Sequence, residues 1–419
     1  MSASGALAQG RYGTRPRQIS AGVKRLALVY LWITVASIAI VVSDPAPYDA
    51  LILGAIFVLP VAGLVVFPRG LALYLLLWTI VIAFGLIAST QAVVIGNPSS
   101  HMGITLYLAL SSVVIAAFVA DRPEDNTRLI MSAYLFSATI AAIAALIGYF
   151  SLAPGASELF TEYGRARGTF KDANVLGAFL VPALVYAFHS VMTRGTLRAW
   201  PAMLAMPLLL FGTLLTFSRG AWINLVVALG LYAFFTFGTA GTNRQRLKLI
   251  IAVVLSACLA LGVLAAANSI PQVADLMGER SSFEQSYDVG PEGRFGGQLK
   301  AIGLILSHPL GLGALEFHEH YHHEDVHEVY LSMFLNAGWI GGVAYFVLVL
   351  LTMGLGLKSV VADRGRDGLS AVLAASFIAM AFEGIVIDTD HWRHFFLLMA
   401  VVWGIALAPQ ARARSVNGP

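Results

Sequence analysis

Residues 71–90 read LALYLLLWTIVIAFGLIAST, a run of about 20 residues without a charge, which is the length an α-helix needs to cross the hydrocarbon core of a bilayer. Comparable runs recur along the chain, whose 419 residues are 58% hydrophobic and 12% charged. This composition excludes an ordinary water-soluble domain. The sequence therefore predicts an all-α polytopic membrane protein.

About twelve segments satisfy the length rule for membrane-spanning helices. They comprise residues 26–43, 48–67, 71–90, 104–120, 129–150, 174–192, 201–217, 220–238, 248–267, 328–357, 369–388 and 394–408. Nine spans thus lie in residues 26–267 and three in residues 328–408, with the segment 268–327 between them.

The distribution of basic residues predicts the orientation, because cytoplasmic loops carry an excess of Lys and Arg. If both termini are cytoplasmic, most of the 26 basic residues lie on the cytoplasmic side. We therefore expect residues 1–25 and 409–419 to be cytoplasmic tails, the first of them disordered and not a cleaved signal. The net charge of +3 comes mostly from this bias, which makes nucleic acid a poor candidate partner.

The segment 268–327 contains a lateral helix by its hydrophobic pattern. Apolar residues recur at helical spacing from Phe295 to Leu306, and His308-Pro309 ends the helix because proline disfavours helix in the residue before it. We expect an ordered helical cap at the outer face. Cys258, the single cysteine, lies in a predicted span, where we expect a buried and unreactive thiol.

Several cations lie on the predicted outer side, against the prevailing bias. Arg165, Arg167 and Lys171 precede a helix that starts near Asn174. Asn174 is a suitable helix cap, but capping does not explain three cations in one outer loop. A helix N-terminus flanked by cations is suited to binding an anion.

Two further arginines stand at predicted helix starts, Arg219 beside Trp222 and Arg294 at the lateral helix. An arginine at the bilayer edge is costly unless it meets water or an anion, and its guanidinium forks onto phosphate oxygens. The alternatives are that Arg219 is an anchor at the membrane interface and that Arg294 is an ordinary surface residue.

Five histidines lie between His318 and His327. A metal site is one interpretation, but the spacing fits no standard zinc pattern, and a solvated loop is another. A general base is a better use for one of them, since histidine titrates near neutral pH. Glu383 and Asp388, in the outer half of span 369–388, are either functional or ion-pair partners of basic residues such as Arg393.

Four of these segments together resemble the O-antigen ligase superfamily of bacterial membrane glycosyltransferases, which also holds O-antigen and exopolysaccharide polymerases. The segments are RGTFKDAN at 167–174, Ser218-Arg219-Gly220, Arg294 followed by HPLGLG at 308–313, and His327 followed by Tyr330-Leu331 and GWIG at 338–341. They occur in the family's order and on the predicted outer face.

The resemblance implies a GT-C-like fold in the bacterial inner membrane, with a periplasmic cap between helices 9 and 10. It implies transfer of a glycan from an undecaprenyl-diphosphate carrier to a hydroxyl of an acceptor, which is a lipid-linked repeat or lipid A-core. Inversion at the anomeric carbon without metal, nucleotide sugar or other cofactor is also implied. Arg219 and Arg294 would match the diphosphate-binding arginines of the family, and His327 its catalytic histidine.

Some features depart from the family pattern. Glu328 stands where the family often has Asn, and its carboxylate would orient the imidazole of His327 or mark a different acceptor. Trp392 is suited to stacking on a sugar, with His391 and Arg393 beside it to hold hydroxyls or the diphosphate. These features favour a polymerase over a ligase.

Other classes of membrane protein have a similar number of helices. The first alternative is a transporter, for example a flippase for lipid-linked oligosaccharides. The second is a metal-ion carrier that uses the histidines. Transporters place polar sites near the bilayer midplane, often in paired halves. Here the ionisable residues collect toward one face and the halves share no motif, which favours chemistry at the membrane surface.

Overall fold

The computed structural model describes residues 19–43, 45–271, 273–274, 277–278, 290, 293–363 and 368–416. Its helices are, in chain order, α1 (Ala21–Ala36), α2 (Pro47–Val61), α3 (Leu71–Ser89), α4 (Gly96–Asp121), α5 (Pro123–Tyr149), α6 (Ala156–Phe160), α7 (Ala173–Thr193), α8 (Thr196–Leu215), α9 (Arg219–Thr239), α10 (Asn243–Asn268), α11 (Arg294–Ser307), α12 (Val329–Ala362), α13 (Leu369–Glu383) and α14 (Arg393–Val416). A short antiparallel hairpin, β1 (Thr161–Glu162) and β2 (Arg165–Ala166), and a π-helical turn at Phe317–Tyr321 complete the described elements. Most of the predicted N-terminal tail lies outside the described residues, as do the last residues of the C-terminal tail and much of the segment after α10.

The prediction of an all-α polytopic membrane protein is confirmed. Eight described helices are long and apolar enough to cross a membrane: α3, α4, α5, α7, α8, α9, α10 and α12. The helices α2 and α13 and the first part of α14 are apolar but shorter. Together with α1, these helices overlap the twelve predicted spans, and the count of twelve membrane crossings stays a prediction. The GT-C-like arrangement and the sidedness stay predictions.

The depth of burial differs sharply between spans. Between Leu176 and Ser190, α7 is buried on all sides at the centre of the bundle. At the other extreme, most side chains of α10 are exposed, and its Cys258 is among them. The expected buried thiol is therefore wrong, because a membrane span can be apolar without being packed against protein.

The long helix α12 is interrupted at Gly338, whose φ of 64° is left-handed. The turn 309–313 packs into this break: Trp339 N donates to Pro309 O at 2.9 Å, and Leu312 N donates to Leu335 O at 2.8 Å. Gly311, with a φ of 85°, completes the contact, since a Cβ there would lie 2.7 Å from Gly338 N. The two glycine segments quoted from the sequence thus pack on each other.

The helix predicted from Phe295 to Leu306 is confirmed as α11, which ends at Ser307 before His308, whereas its lateral placement at the membrane stays a prediction. Its inner side packs against α12, where Ala301 joins a small core with Leu335 and Trp339 Nε1 donates to Ile305 O at 2.8 Å. Its outer side is exposed and apolar: Phe295 is 58% exposed and Leu299 72%. An amphipathic helix of this kind is suited to a membrane interface.

Two predicted helix ends are corrected. Span 369–388 ends at Glu383, so Asp388 lies in the loop before α14 rather than in a helix. The N-cap of α7 is Asp172, whose carboxylate accepts from Asn174 N. Asp172 therefore replaces Asn174 as the cap and leaves the Asn174 side chain available for another contact.

The break in α12 generates a stability prediction. Gly338→Ala places a methyl group 2.7 Å from Pro309 O in a left-handed conformation, at an expected cost of about 1–3 kcal/mol. Gly354→Ala, in the same helix, meets nothing within 4 Å and should be neutral or slightly stabilising. Thermal unfolding of both variants in detergent provides the comparison. Equal unfolding temperatures would contradict the assigned contact.

Candidate active site

One end of the bundle encloses a cavity of about 540 Å³. It is formed where α7, α9, α11 and α12 begin and where α13 ends. Its polar lining consists of Arg165, Asn174, Ser218, Arg219, Arg294, Gln298, Glu324, His327 and Glu383. The structure therefore brings all three predicted catalytic residues, Arg219, Arg294 and His327, to one site together with Arg165 and Asn174.

A short hairpin positions Arg165. Tyr163 and Gly164 both have a positive φ, as a two-residue type I′ turn requires, and Arg165 follows on β2. Arg165 Nε donates to Thr216 O at 2.7 Å, and its Nη2 donates to Asn174 Oδ1 at 2.7 Å. The guanidinium thus links β2, the end of α8 and the start of α7, which holds its charge at a defined place in the cavity wall.

Arg219 is the first residue of α9, after the N-cap Ser218, whose Oγ accepts from Ala221 N at 3.3 Å. A helix start is positively polarised, so a cation there is favourable only with negative charge nearby. Glu383 at the end of α13 lies next to Gly220, where a Cβ would be 3.2 Å from Glu383 Oε1. Asn224 Nδ2 donates to Glu383 Oε2. The sequence singled out Glu383, whereas Asn224 was missed.

The backbone of His327 is held on both sides. Its N–H donates to Asp388 Oδ2 at 3.1 Å, and its carbonyl accepts from Arg294 Nη2 at 3.1 Å. Asp388 Oδ1 in turn accepts from Ser332 Oγ at 2.6 Å. These contacts maintain a left-handed φ of 53°, which costs a residue other than glycine about 1–3 kcal/mol. Strain of this kind is typical of functional sites.

The surroundings of the His327 imidazole favour its neutral form. Burial lowers the pKa of His327, and Arg294 lowers it further, while Asp325, Glu324 and Asp172 oppose the shift. Its Nε2 lies 3.9 Å from Glu324 Oε2. A neutral imidazole in a cavity with arginines can accept a proton from a bound hydroxyl.

Glu328 has a different contact from the one expected. Its carboxylate accepts from Leu331 N at 2.9 Å and caps α12, and burial raises the pKa of Glu328. The carboxylate found near the imidazole of His327 belongs to Glu324. Sequence reasoning therefore placed the orienting carboxylate one residue after His327, where the helix start requires a cap.

The other predicted binding residues do not line this cavity. Arg167 Nη2 lies 3.4 Å from Glu158 O, and Lys171 is exposed on the loop before α7. Trp392 is buried and stacks on His394. Arg393 forms a bidentate pair with Asp49 of α2, with both distances at 2.7 Å. A direct contact of these side chains with a glycan stays a prediction.

His391 belongs to a second cluster. His101 Nε2 on α4 lies 3.0 Å from Asp390 Oδ2, His391 Nε2 lies 3.0 Å from Thr105 Oγ1, and the two imidazole rings are 3.8 Å apart. Burial lowers the pKa of His391 to about 4, whereas burial and the charge of Asp390 raise that of Asp388 to about 7. Three side chains here, His101, Asp390 and His391, have the chemistry and spacing of metal ligands.

The histidine run contributes less to a metal site than its composition suggested. His322 is buried against Phe317 and accepts from or donates to the backbone of Glu324, and His323 is exposed. His320 forms a largely exposed group with Glu316 and Glu319. Among the described histidines of the run, His327 is the one that lines the 540 Å³ cavity.

A larger cavity of about 830 Å³ lies at the opposite end, where α7, α9 and α12 end. Arg128, Arg194, Arg198 and Lys248 contribute to its lining. Basic residues at this end are typical of cytoplasmic helix ends and need no ligand to explain them. We therefore assign the chemistry to the smaller cavity, which contains Arg219, Arg294 and His327.

The electrostatics of His327 generate a titration prediction. Arg294→Gln should raise the pKa of the imidazole because it removes a neighbouring positive charge, and Glu324→Gln should lower it. The wild-type value should lie below 6.5. NMR of protein labelled at the histidine Cε1 atoms reports each titration, with His327→Gln assigning the signal among the ten histidines. Shifts in the same direction for both variants would contradict this assignment of charges.

The comparison with known families agrees with the site. Residues 203–346, from α8 to the first half of α12, match the family described as O-Antigen ligase. This segment includes Arg219, Arg294 and His327. None of the curated proteins compared with the chain matches it. The family match supports a membrane glycan-processing enzyme, and residues 203–346 are similar to the O-antigen ligase family that the sequence motifs resemble.

Proposed function

We propose that this protein transfers a glycan from an undecaprenyl-diphosphate carrier to a hydroxyl of an acceptor glycan at the periplasmic face of the bacterial inner membrane. The observation that carries this proposal is the convergence of Arg165, Arg219, Arg294 and His327 in one cavity. The donor supplies a phosphate group for arginines to bind, and the acceptor supplies a proton for a histidine to take.

The charge of the leaving group explains why arginines line the cavity. As the bond between the anomeric carbon and the phosphate oxygen breaks, negative charge builds on the diphosphate. Guanidinium groups that already face this charge stabilise the transition state without reorganising. Each arginine approaches from a separate segment, β2, α9 or α11, so a diphosphate would be held from several directions. The arginines supply positive charge that a metal ion supplies in many other diphosphate sites.

The acceptor hydroxyl must lose a proton, which explains the presence of His327 in the cavity. Its neutral imidazole accepts the proton of the hydroxyl as the oxygen attacks the anomeric carbon, and the diphosphate leaves from the opposite face with the bonding electrons. The anomeric configuration is therefore inverted in a single displacement. Arg294 connects the two halves of the reaction, since it lines the cavity and also bonds to the carbonyl of His327.

The position of the cavity suits a lipid-linked donor. It is lined in part by α11, whose exposed apolar side includes Phe295 and Leu299. A lateral helix seated in the membrane interface would bring the cavity to the level of the lipid phosphates. The carrier tail then stays in the bilayer while the sugar enters from the aqueous side. The bias of basic residues toward the opposite end supports a periplasmic site.

We favour a polymerase, in which the acceptor is a second lipid-linked repeat, over a ligase that uses lipid A-core. Glu328, next to His327, supports this choice because the family often has Asn at that position. The structure gives Glu328 a capping role at α12, so the support comes from the sequence pattern and not from a contact with substrate.

Glycan analysis of a deletion strain tests the proposal. The strain is complemented with wild type, His327→Ala or, as a control at an exposed site, His323→Ala. Loss of long polymer with accumulation of single lipid-linked repeats in the His327→Ala strain supports a polymerase. Polymer that forms on its carrier but never reaches lipid A-core identifies a ligase. Normal glycans in that strain would refute the proposal and favour a transporter.

Arginine substitutions test the diphosphate contacts. Arg219→Ala and Arg294→Ala should each lower transfer about 10²–10³-fold, as expected for loss of a transition-state donor. The corresponding Lys variants should recover only part of the rate, because an ammonium cannot form the two parallel bonds of a guanidinium. Arg198→Lys, at the opposite end, is the matched control. Lys variants with wild-type rates would contradict a bidentate contact.

A further inference from the structure

The cluster of His101, Asp390 and His391 is separate from the lining of the proposed active site. His101 belongs to α4, and the other two residues belong to the loop between α13 and α14. The side chains of His101 and Asp390 are 15% and 14% exposed, so they are enclosed but within reach of water. Their ligand atoms and one from His391 all lie within 4.8 Å of one another.

Two imidazoles and one carboxylate form a donor set that prefers Zn²⁺ and related transition-metal ions over Mg²⁺ or Ca²⁺. Ligand atoms about 2.0–2.2 Å from one ion are separated by about 3–3.5 Å from each other. The 3.0 Å distance between His101 Nε2 and Asp390 Oδ2 is compatible with this spacing. A rotation of the His391 ring away from Thr105 would complete the set.

An adjacent cavity of about 100 Å³ provides the second observation. Asp325, Asp388 and Asp390 line it together with His101 and His318, and its lining among the described residues contains no Lys or Arg. Asp388 already accepts hydrogen bonds from His327 N and Ser332 Oγ, and the other two carboxylates, Asp325 and Asp390, favour a cation in so small a space. The volume accommodates an ion with about two water molecules, each of which occupies about 30 Å³.

We propose that His101, Asp390 and His391 bind one divalent transition-metal ion, with water from the 100 Å³ cavity as a further ligand. The alternative is a hydrogen-bonded network in which His101 donates to Asp390 and Thr105 bonds to His391. The network uses the same atoms without an ion, so the metal content of the protein distinguishes the two arrangements.

The bound ion would position His327 without contacting substrate. Asp388, two residues before Asp390, accepts from His327 N at 3.1 Å and from Ser332 Oγ at 2.6 Å. An ion that ties Asp390 and His391 to α4 therefore immobilises the loop that holds His327. This part of the inference rests on the proposed function, in which His327 is the base.

Metal content is the direct test and needs no activity assay. Full-length protein is purified through a tag without histidines, stripped with a chelator, and dialysed against Zn²⁺, Mn²⁺ or Ca²⁺. We expect one equivalent of Zn²⁺ or Mn²⁺ per chain, with a higher unfolding temperature and imidazole ligands in X-ray absorption spectra. Less than a tenth of an equivalent, or binding of Ca²⁺ alone, would overturn the site. Because this experiment uses the wild-type protein, its result does not depend on whether any variant folds.

Variants locate the ion. His101→Ala and Asp390→Asn should lose it, whereas His320→Ala, in the exposed group with Glu316 and Glu319, should retain it. Loss of metal from His320→Ala but not from His101→Ala would overturn the assignment.

Transfer assays separate the positioning role from the proposed function. Metal-free wild type should show kcat lowered about tenfold with an unchanged KM for the donor, and Zn²⁺ should restore it. Stoichiometric binding of the ion in a protein that never transfers glycan would refute the proposed function while the metal site stands. Transfer by a protein that binds no metal would refute the metal site alone.

Discussion

The packing of the turn 309–313 against the break in α12 is the contact on which the site depends. Gly338 departs from helical geometry, and the turn occupies the space so created, with Trp339 N bonded to Pro309 O. The same contact holds α11 along α12, and α11 begins with Arg294. Arg294 therefore reaches the carbonyl of His327 with the help of two glycines, Gly311 and Gly338, that allow two backbones to approach closely.

The charged groups that line the cavity determine which chemistry it can support. Three arginines from separate segments face a space that also contains Glu324 and Glu383, and a half-buried imidazole lies among them. The positive charge of the arginines favours an anion in this space, and burial and Arg294 lower the pKa of the imidazole, which favours its proton-accepting form. The basic opposite end also contains a histidine, His189, but its Nδ1 lies 3.0 Å from Tyr232 Oη within the bundle.

The sequence predicted the helices well because their signal is local: about 20 uncharged residues identify a span. It also identified Arg219, Arg294 and His327, because each of them belongs to a recognisable motif. The contacts that it missed join residues far apart. Arg393 and Asp49 are 344 positions apart, His101 and Asp390 are 289, and Asn224 and Glu383 are 159. A single sequence carries no periodicity that relates such pairs, so Arg393 was interpreted as a binding residue and His101 was not singled out.

The apolar outer side of α11 has a consequence for the lipids around the protein. A helix with Phe295 and Leu299 exposed on one side settles at a preferred depth in the bilayer, and its other side is fixed to α12. We therefore expect α11 to set the depth of the cavity in the bilayer. We expect a thinner or thicker membrane to shift the cavity relative to the phosphate layer, so that bilayer thickness selects which carrier lipids present their headgroups at the correct height.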